Sequence, residues 1–167
     1  LAALGHKHIA VIGQSPEFLG FGYGPVVRTE GELLRSATEH DIRVDIYRVD
    51  AHLRDGRDAV EELLTKDAHP TALLGFNEPA MIGALEAISA AGLRVPEDIS
   101  VIHFGISAES AEATVPAQTT IGVDGQSLSL RAAEFLVADM ADPSRDPQHY
   151  LGPAVFINRG STAPAPK

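Results

Sequence analysis

The sequence lacks cysteine and tryptophan, and aromatic residues make up only 5% of it. Without cysteine the chain can form neither a disulfide framework nor a thiolate metal site. It also has no apolar run approaching the ~20 residues that would span a bilayer. Residues 1–7 carry neither a basic n-region nor a long apolar region, so we expect no signal peptide and no contact with a membrane.

Basic residues are scarce as well: 13 Lys and Arg stand against 23 Asp and Glu, a formal net charge of −10. That balance argues against this chain gripping nucleic acid by itself, because phosphate contacts need clustered Lys and Arg. The 167 residues are 44% apolar and 22% charged, which is typical of one soluble globular domain. The chain does not begin with methionine, and we expect it to be a piece of a longer protein.

Apolar runs and helical periodicities alternate along the first two thirds of the chain. They predict strands at 9–13, 43–49, 71–76 and 99–104, with helices at 26–40, 55–66 and 78–91 between them. Such βαβ units build a parallel sheet with helices on both faces, a three-layer α/β/α sandwich. The tail predicts a β run at 118–123, an amphipathic helix at 126–140 and a last strand at 153–159.

The candidate site lies beyond the carboxyl ends of the strands, where open α/β sheets bind ligands. Gln14, Asp50, Asn77 and Gly105 follow the four strands, and Arg28 lies in the first turn of the following helix. These groups suit hydrogen bonding to a small ligand and include no nucleophile–base pair, so no catalytic residue is predicted.

Simpler roles remain open for several of these residues. Asn77 precedes a helix and is a good N-cap, Asp50 suits a turn, and Arg28 could be a solvated surface residue. Glycines at 20, 22 and 24 come too late after the strand for a dinucleotide fingerprint and favour a plain flexible loop. The histidines form no HxxxH pair, so we expect no metal and no cofactor, and His103 is expected to be a core residue.

Several segments, in a fixed order, resemble the effector-binding core of the lactose-repressor/galactose-repressor regulators. The matching segments are residues 4–13, 28–31, 70–72, 77–85, 92–102, 118–121 and 159–162. The resemblance implies a periplasmic-binding-protein type I fold, of which this chain would be the second subdomain. It further implies a cytoplasmic regulator that binds a small effector and contacts operator DNA through an N-terminal headpiece missing from this chain.

The resemblance also implies residue roles and boundaries. Residues 1–122 would form the C-terminal subdomain, and residues 123–148 would belong to the other subdomain in an intact member. Residues 149–167 would form the strand that returns to the C-terminal subdomain, followed by the tail. Arg28 and Asn77 match effector-contacting positions. A homodimer would form through the helix at 78–91, with an interface set of Met81, Ile82 and Glu86, although Met81 also belongs to the stripe that packs this helix on its sheet.

Departures from the family pattern bear on the effector. Ala51 stands where members often have an aromatic platform, Gly105 where they have an effector-binding Asp, and Val123 where some place a polar contact. These departures argue against a typical sugar effector and leave a degenerate pocket as an alternative. A different class of function, a solute-binding component of a transporter, shares the fold and remains the alternative to a regulator.

Overall fold

The computed structural model of the chain describes residues 1–66 and 69–166. The strands are β1 (His8–Gly13), β2 (Arg43–Arg48), β3 (Ala72–Gly75), β4 (Ser100–Phe104), β5 (Thr119–Val123) and β6 (Ala154–Ile157). The helices are α1 (Pro16–Gly20), α2 (Gly24–Glu39), α3 (Leu53–Leu64), α4 (Glu78–Ala90), α5 (Ala108–Glu112) and α6 (Gly125–Ala141), after a 3-10 turn at Ala2–Leu4. Among the described residues, no helix is both long and apolar enough to cross a membrane.

The strands form one six-stranded sheet in the order β2-β1-β3-β4-β5-β6. The first five strands are parallel, as the alternation of strands and helices predicts, whereas β6 runs antiparallel to β5. The chain moves outward from β1 to β2, crosses back to β3 and then proceeds towards β5. The predicted α/β sandwich is therefore confirmed, with one reversed strand at its edge.

Helices α3 and α4 cover one face of the sheet over the larger part of the core, which includes Ile12, Leu73 and Val101. The two helices touch backbone to backbone because each has a glycine at the contact. A Cβ added to Gly56 would collide with the Ala80 carbonyl, and one added to Gly83 would collide with the Leu53 carbonyl. This close packing fixes α3 and α4 as one layer.

Helix α2 lies on the opposite face, over a smaller core of Val11, Leu74 and Ile102. An apolar groove of about 490 Å³ remains between α2 and the sheet, with the first residues of the chain at its rim. The predicted helices are thus present on both faces of the sheet. Helices α3 and α4 pack on the face with the larger core, and α2 packs on the face with the smaller one.

Two short helices lie in segments for which the sequence predicts none. The predicted loop over Gly20–Gly24 is shorter than expected: Gly20 ends α1, Gly24 begins α2, and the three residues between them are non-helical. Helix α5 follows β4 in the same way. Each of these helices has five residues, too few for an apolar periodicity to show in the sequence.

Helix α6 and strand β6 leave many apolar side chains exposed. No residue of α6 is fully buried, and its contacts are local: Leu128 packs on Gly152, and the Arg131 guanidinium carbon lies 5.5 Å from the centre of the Tyr150 ring. Leu136, on this helix, is 62% exposed. The helix folds back on its own connection to β6.

Candidate functional site

The site follows from the order of the strands. The chain leaves β1 towards one edge of the sheet and leaves β3 towards the other, so a crevice opens between their carboxyl ends. Gln14, directly after β1, donates a hydrogen bond from Nε2 to the carbonyl oxygen of Phe76, directly after β3, at 2.9 Å. The sequence-predicted Gln14 therefore ties together the two loops that form the crevice.

Asn77, the next residue after Phe76, is buried and caps helix α4. Its Oδ1 accepts a hydrogen bond from the backbone N–H of Ala80 at 3.3 Å. The capping role predicted from the sequence is confirmed. Within the described part of the chain the Asn77 Nδ2 group donates no hydrogen bond, so a donor is still available beside the crevice.

Arg28 is exposed and is the fifth residue of α2, the long helix that follows β1 and α1. Its guanidinium folds back over Gly24, since a Cβ added there would lie 2.6 Å from Nη1 of Arg28. Among the described residues, Arg28 is the one arginine without an ion-pair partner. The paired ones are Arg35, Arg43, Arg48, Arg54, Arg57, Arg94, Arg131, Arg145 and Arg159.

Asp50 and Gly105 follow β2 and β4, the strands on either side of the β1–β3 pair. Asp50 follows β2 at the outer edge of the sheet. Gly105 follows β4, has a positive φ of 78° and borders a separate groove of about 750 Å³. Four of the predicted site residues, Gln14, Asp50, Asn77 and Gly105, therefore follow neighbouring strands at one end of the sheet, and Arg28 lies on the helix after β1.

A possible ligand set that the sequence analysis does not single out surrounds Asp50. Ligand atoms of Asp50, His52 and Asp55 lie within 4.8 Å of one another, on the surface. His52 Nδ1 already contacts Asp55 Oδ2 at 2.8 Å, and this hydrogen bond lowers the pKa of Asp55. The cluster adjoins the first turn of α3, where the helix dipole disfavours a cation. The ion pair between the His52 imidazole and the Asp55 carboxylate explains why the residues of this cluster lie close together.

Aromatic side chains that sequence reasoning missed lie in the segment that joins β1 to α2. Phe18, Phe21 and Tyr23 are 47%, 77% and 50% exposed, and the rings of Phe18 and Tyr23 meet edge to face with centroids 6.1 Å apart. The available signal was the alternation of aromatic residues with glycine in residues 18–24. We call residues 18–23 the aromatic loop.

His103, in β4, lies in the core as predicted and is 1% exposed. Its Nδ1 and the Oε1 of Gln118 are both buried and have no hydrogen-bond partner among the described residues. Burial lowers the pKa of His103 to about 4, against the opposite influence of Gln118 and of the charge on Glu78. The imidazole is therefore neutral at pH 7.

The residues predicted for a dimer interface differ in exposure. Met81 is 0% exposed and packs in the core between α4 and the sheet. Its assignment to an interface is therefore wrong, because its side chain has no surface with which to contact a partner. Ile82 is 37% exposed, and Glu86 is half exposed and bonded to Arg57 of α3 at 2.6 Å. These two residues remain on an outer surface of the α3–α4 layer.

Comparison with known proteins places this geometry in a family. The model of the periplasmic binding protein-like domain matches residues 1–162. The probable HTH-type transcriptional repressor ExuR of Bacillus subtilis (strain 168) is 32% identical, with 94% of this chain and 46% of that protein covered. The HTH-type transcriptional regulator AglR of Rhizobium meliloti (strain 1021) is 31% identical, with 99% and 47% covered. The chain thus spans about half the length of these curated relatives.

Solved structures agree. A LacI family transcriptional regulator from Bifidobacterium animalis subsp. lactis superposes with a TM-score of 0.87 at 30% identity, over 99% of this chain and 59% of that one. A LacI family regulator from Enterococcus faecium, solved with bound ribose, gives a TM-score of 0.82 at 25% identity, over 99% and 60%. The chain therefore belongs to the periplasmic binding protein-like domain family and corresponds to part of the effector-binding core of lactose-repressor/galactose-repressor regulators.

Proposed function

We propose that this chain is the effector-sensing and dimerisation part of a bacterial DNA-binding transcription regulator that works in the cytoplasm. The observation that carries the proposal is the crevice between β1 and β3. It brings Gln14 and Asn77 together at one end of the sheet, and Arg28, which has no ion-pair partner among the described residues, lies on the helix that follows β1. The named HTH-type regulators among the relatives support it further.

DNA binding belongs, in this proposal, to the part of the relatives that this chain does not span. The chain has a net charge of −10, and every described arginine except Arg28 is paired with a carboxylate. Cations already neutralised by carboxylates are poorly suited to holding phosphates. An operator would therefore be contacted through a headpiece, and effector binding here would change the affinity of that headpiece.

The division of the chain is part of the same proposal. Residues 1–122 form the subdomain that carries the crevice, residues 123–148 cross to a partner subdomain, and residues 149–167 return. The exposed apolar residues of α6 support this division, because Leu130, Leu136, Val137 and Met140 lack a sheet to cover them. A second subdomain would bury them and would close the crevice from the opposite side.

Two other classes of function are less well supported. The relatives named above are transcriptional regulators, which favours a regulator over a solute-binding component of a transporter. We also propose that the chain is not an enzyme, since the Ser15 hydroxyl after β1 has no base hydrogen-bonded to it among the described residues.

A ligand screen read by NMR tests the proposed function. Amide chemical shifts of the 167-residue chain are followed while monosaccharides, nucleobases and small organic acids are added. The proposal predicts that a ligand shifts amides at residues 13–15, 24–28 and 76–78 together. Shifts confined to the 750 Å³ groove near Gly105, or no shifts with any ligand, would contradict it.

A further inference from the structure

Resting on the proposed function, we infer that the effector is a small aromatic carboxylate. Its ring lies against the aromatic loop and its carboxylate binds Arg28. The inference comes from two features of the crevice that the fold itself does not require: exposed aromatic rings after β1 and an unpaired guanidinium at the start of α2.

The aromatic loop concentrates side chains that the rest of the chain has little of. Aromatic residues make up 5% of the sequence, yet three lie within six residues of one another, two of them about half exposed and Phe21 largely exposed. Leaving such large apolar side chains in water forgoes the stabilisation that their burial would give. Phe21 is the most exposed, between Gly20 and Gly22, so its ring contributes little to the core. Clustered exposed rings beside a ligand crevice are typical of a surface that stacks on a flat ligand.

Arg28 supplies the charge. Its guanidinium lies over Gly24, the residue that follows Tyr23, so the cation and the aromatic loop adjoin one another. Carboxylates outnumber cations in this chain, and every other described arginine forms an ion pair with a carboxylate. A guanidinium fork left free beside a crevice fits a planar carboxylate from outside the chain, which it can bind through two parallel hydrogen bonds.

The remaining polar groups argue for a flat anion over a neutral polyol. A sugar needs several free donors and acceptors around its ring, but Gln14 Nε2 and Asn77 Oδ1 are already used inside the protein. Position 105, beyond β4, is a glycine without any side chain to offer. A single free cation suits a monoanion better than a phosphate. Among the described side chains of the crevice, what is left is the Arg28 cation, the aromatic surface, the Asn77 Nδ2 donor and the Gln14 Oε1 acceptor.

The test is an NMR titration of the 167-residue chain with benzoate, compared with cyclohexanecarboxylate, benzamide and D-ribose. Benzoate should shift the amides of residues 18–28 and 76–78. Cyclohexanecarboxylate keeps the charge without the aromatic face, and benzamide keeps the ring without the charge. Both should bind at least about fivefold more weakly than benzoate.

Variants separate the two contacts. Phe21→Leu and Tyr23→Leu should each weaken benzoate binding about two- to tenfold, as expected for loss of one stacked ring. Phe156→Leu, which removes an exposed aromatic ring from β6, is the matched control and should leave binding unchanged. Arg28→Gln should abolish the preference for benzoate over benzamide, and Arg28→Lys should retain part of it.

Equal binding of benzoate and cyclohexanecarboxylate, or unchanged binding in both leucine variants of the aromatic loop, would overturn the inference. If D-ribose shifts residues 13–15 and 76–78 and benzoate does not, the inference fails while the proposed function survives. If no compound of the wider screen shifts the crevice, both fail.

Discussion

At the scale of single residues, the structure selects one of two roles that the sequence leaves open for several side chains. Asn77 is an N-cap, as its position before Glu78 and Pro79 predicts. Met81 belongs to the core, because its place on the apolar stripe of α4 outweighs the resemblance that put it in an interface. Burial of His103 is also predictable from its strand, but the missing partner of its Nδ1 is not, since it depends on how Gln118 is oriented.

The lowered pKa of His103 predicts a pH dependence of stability. The unfolded chain takes up this proton near pH 6.5 and the folded chain near pH 4. Between these values the unfolded state binds more protons, so the free energy of unfolding falls as the pH falls. From pH 7 to pH 5 the wild type should lose about 2 kcal/mol more than His103→Gln, measured by urea unfolding. His149→Gln, at an exposed position, should behave like the wild type; parallel curves for His103→Gln and wild type would refute this account.

At the scale of elements, long patterns are predictable and short ones are not. Strands β1, β3 and β4 are apolar runs and lie where the sequence places them within one or two residues. Helices α1 and α5 are missed because five residues carry no periodicity. The aromatic loop is missed for a related reason: its glycines suggest flexibility, whereas two helices hold it on either side. The contact between α3 and α4 depends on glycines whose role appears only once the helices are paired.

That contact predicts opposite effects for two glycine-to-alanine changes. Gly83→Ala would press a methyl group into the Leu53 carbonyl and should lower the free energy of unfolding by about 2–3 kcal/mol. Gly31→Ala, on α2 where nothing lies within 4 Å of the new Cβ, should raise it by about 0.5–1 kcal/mol through helix propensity. Denaturant unfolding of both variants checks the prediction, and equal effects would show that α3 and α4 are not closely packed.

The exposed side of α4 predicts self-association. Ile82 is 37% exposed, and a two-fold contact there would bury it twice. Sedimentation should find dimers for the wild type and monomers for Ile82→Asp, since a charge buried in the contact is unpaired on both sides. Val115→Asp, at a fully exposed position elsewhere, is the control and should remain dimeric. Dimers in Ile82→Asp would move the interface to α6, and monomers in all samples would remove the prediction.

At the scale of the whole molecule, the fold class follows from the alternation of strands and helices, and the family from segments in fixed order. Neither the alternation of elements nor the order of the segments predicts how much of the surface of α6 and β6 stays exposed to solvent. The exposure of α6 and β6 depends on how the sheet is assembled. Strand β6 is the last strand at one edge of the sheet, and the side chains on both of its faces are exposed. The crevice is likewise a product of strand order, since Gln14 and Phe76 are 62 residues apart in the sequence.

Charge at this scale predicts that the chain alone does not recognise duplex DNA. With a net charge of −10 and every described arginine except Arg28 paired with a carboxylate, the described residues offer no cluster of unpaired cations for phosphates. In a gel-shift assay the purified chain should leave a duplex from its own promoter region unshifted at low salt. A sequence-specific shift that weakens as salt is raised would place DNA binding within these residues.

Arg28 gives the most direct test of the claim that this chain holds an effector in the crevice between β1 and β3. With a ligand identified by the NMR screen, calorimetry compares wild type, Arg28→Ala and Arg35→Ala. Arg35 lies on the same helix but is already paired with Glu32 and Glu39. Loss of one contact to a bound ligand costs ~1–3 kcal/mol, so Arg28→Ala should bind about 5- to 150-fold more weakly, and Arg35→Ala as the wild type does. Equal affinities for wild type and Arg28→Ala would contradict the claim.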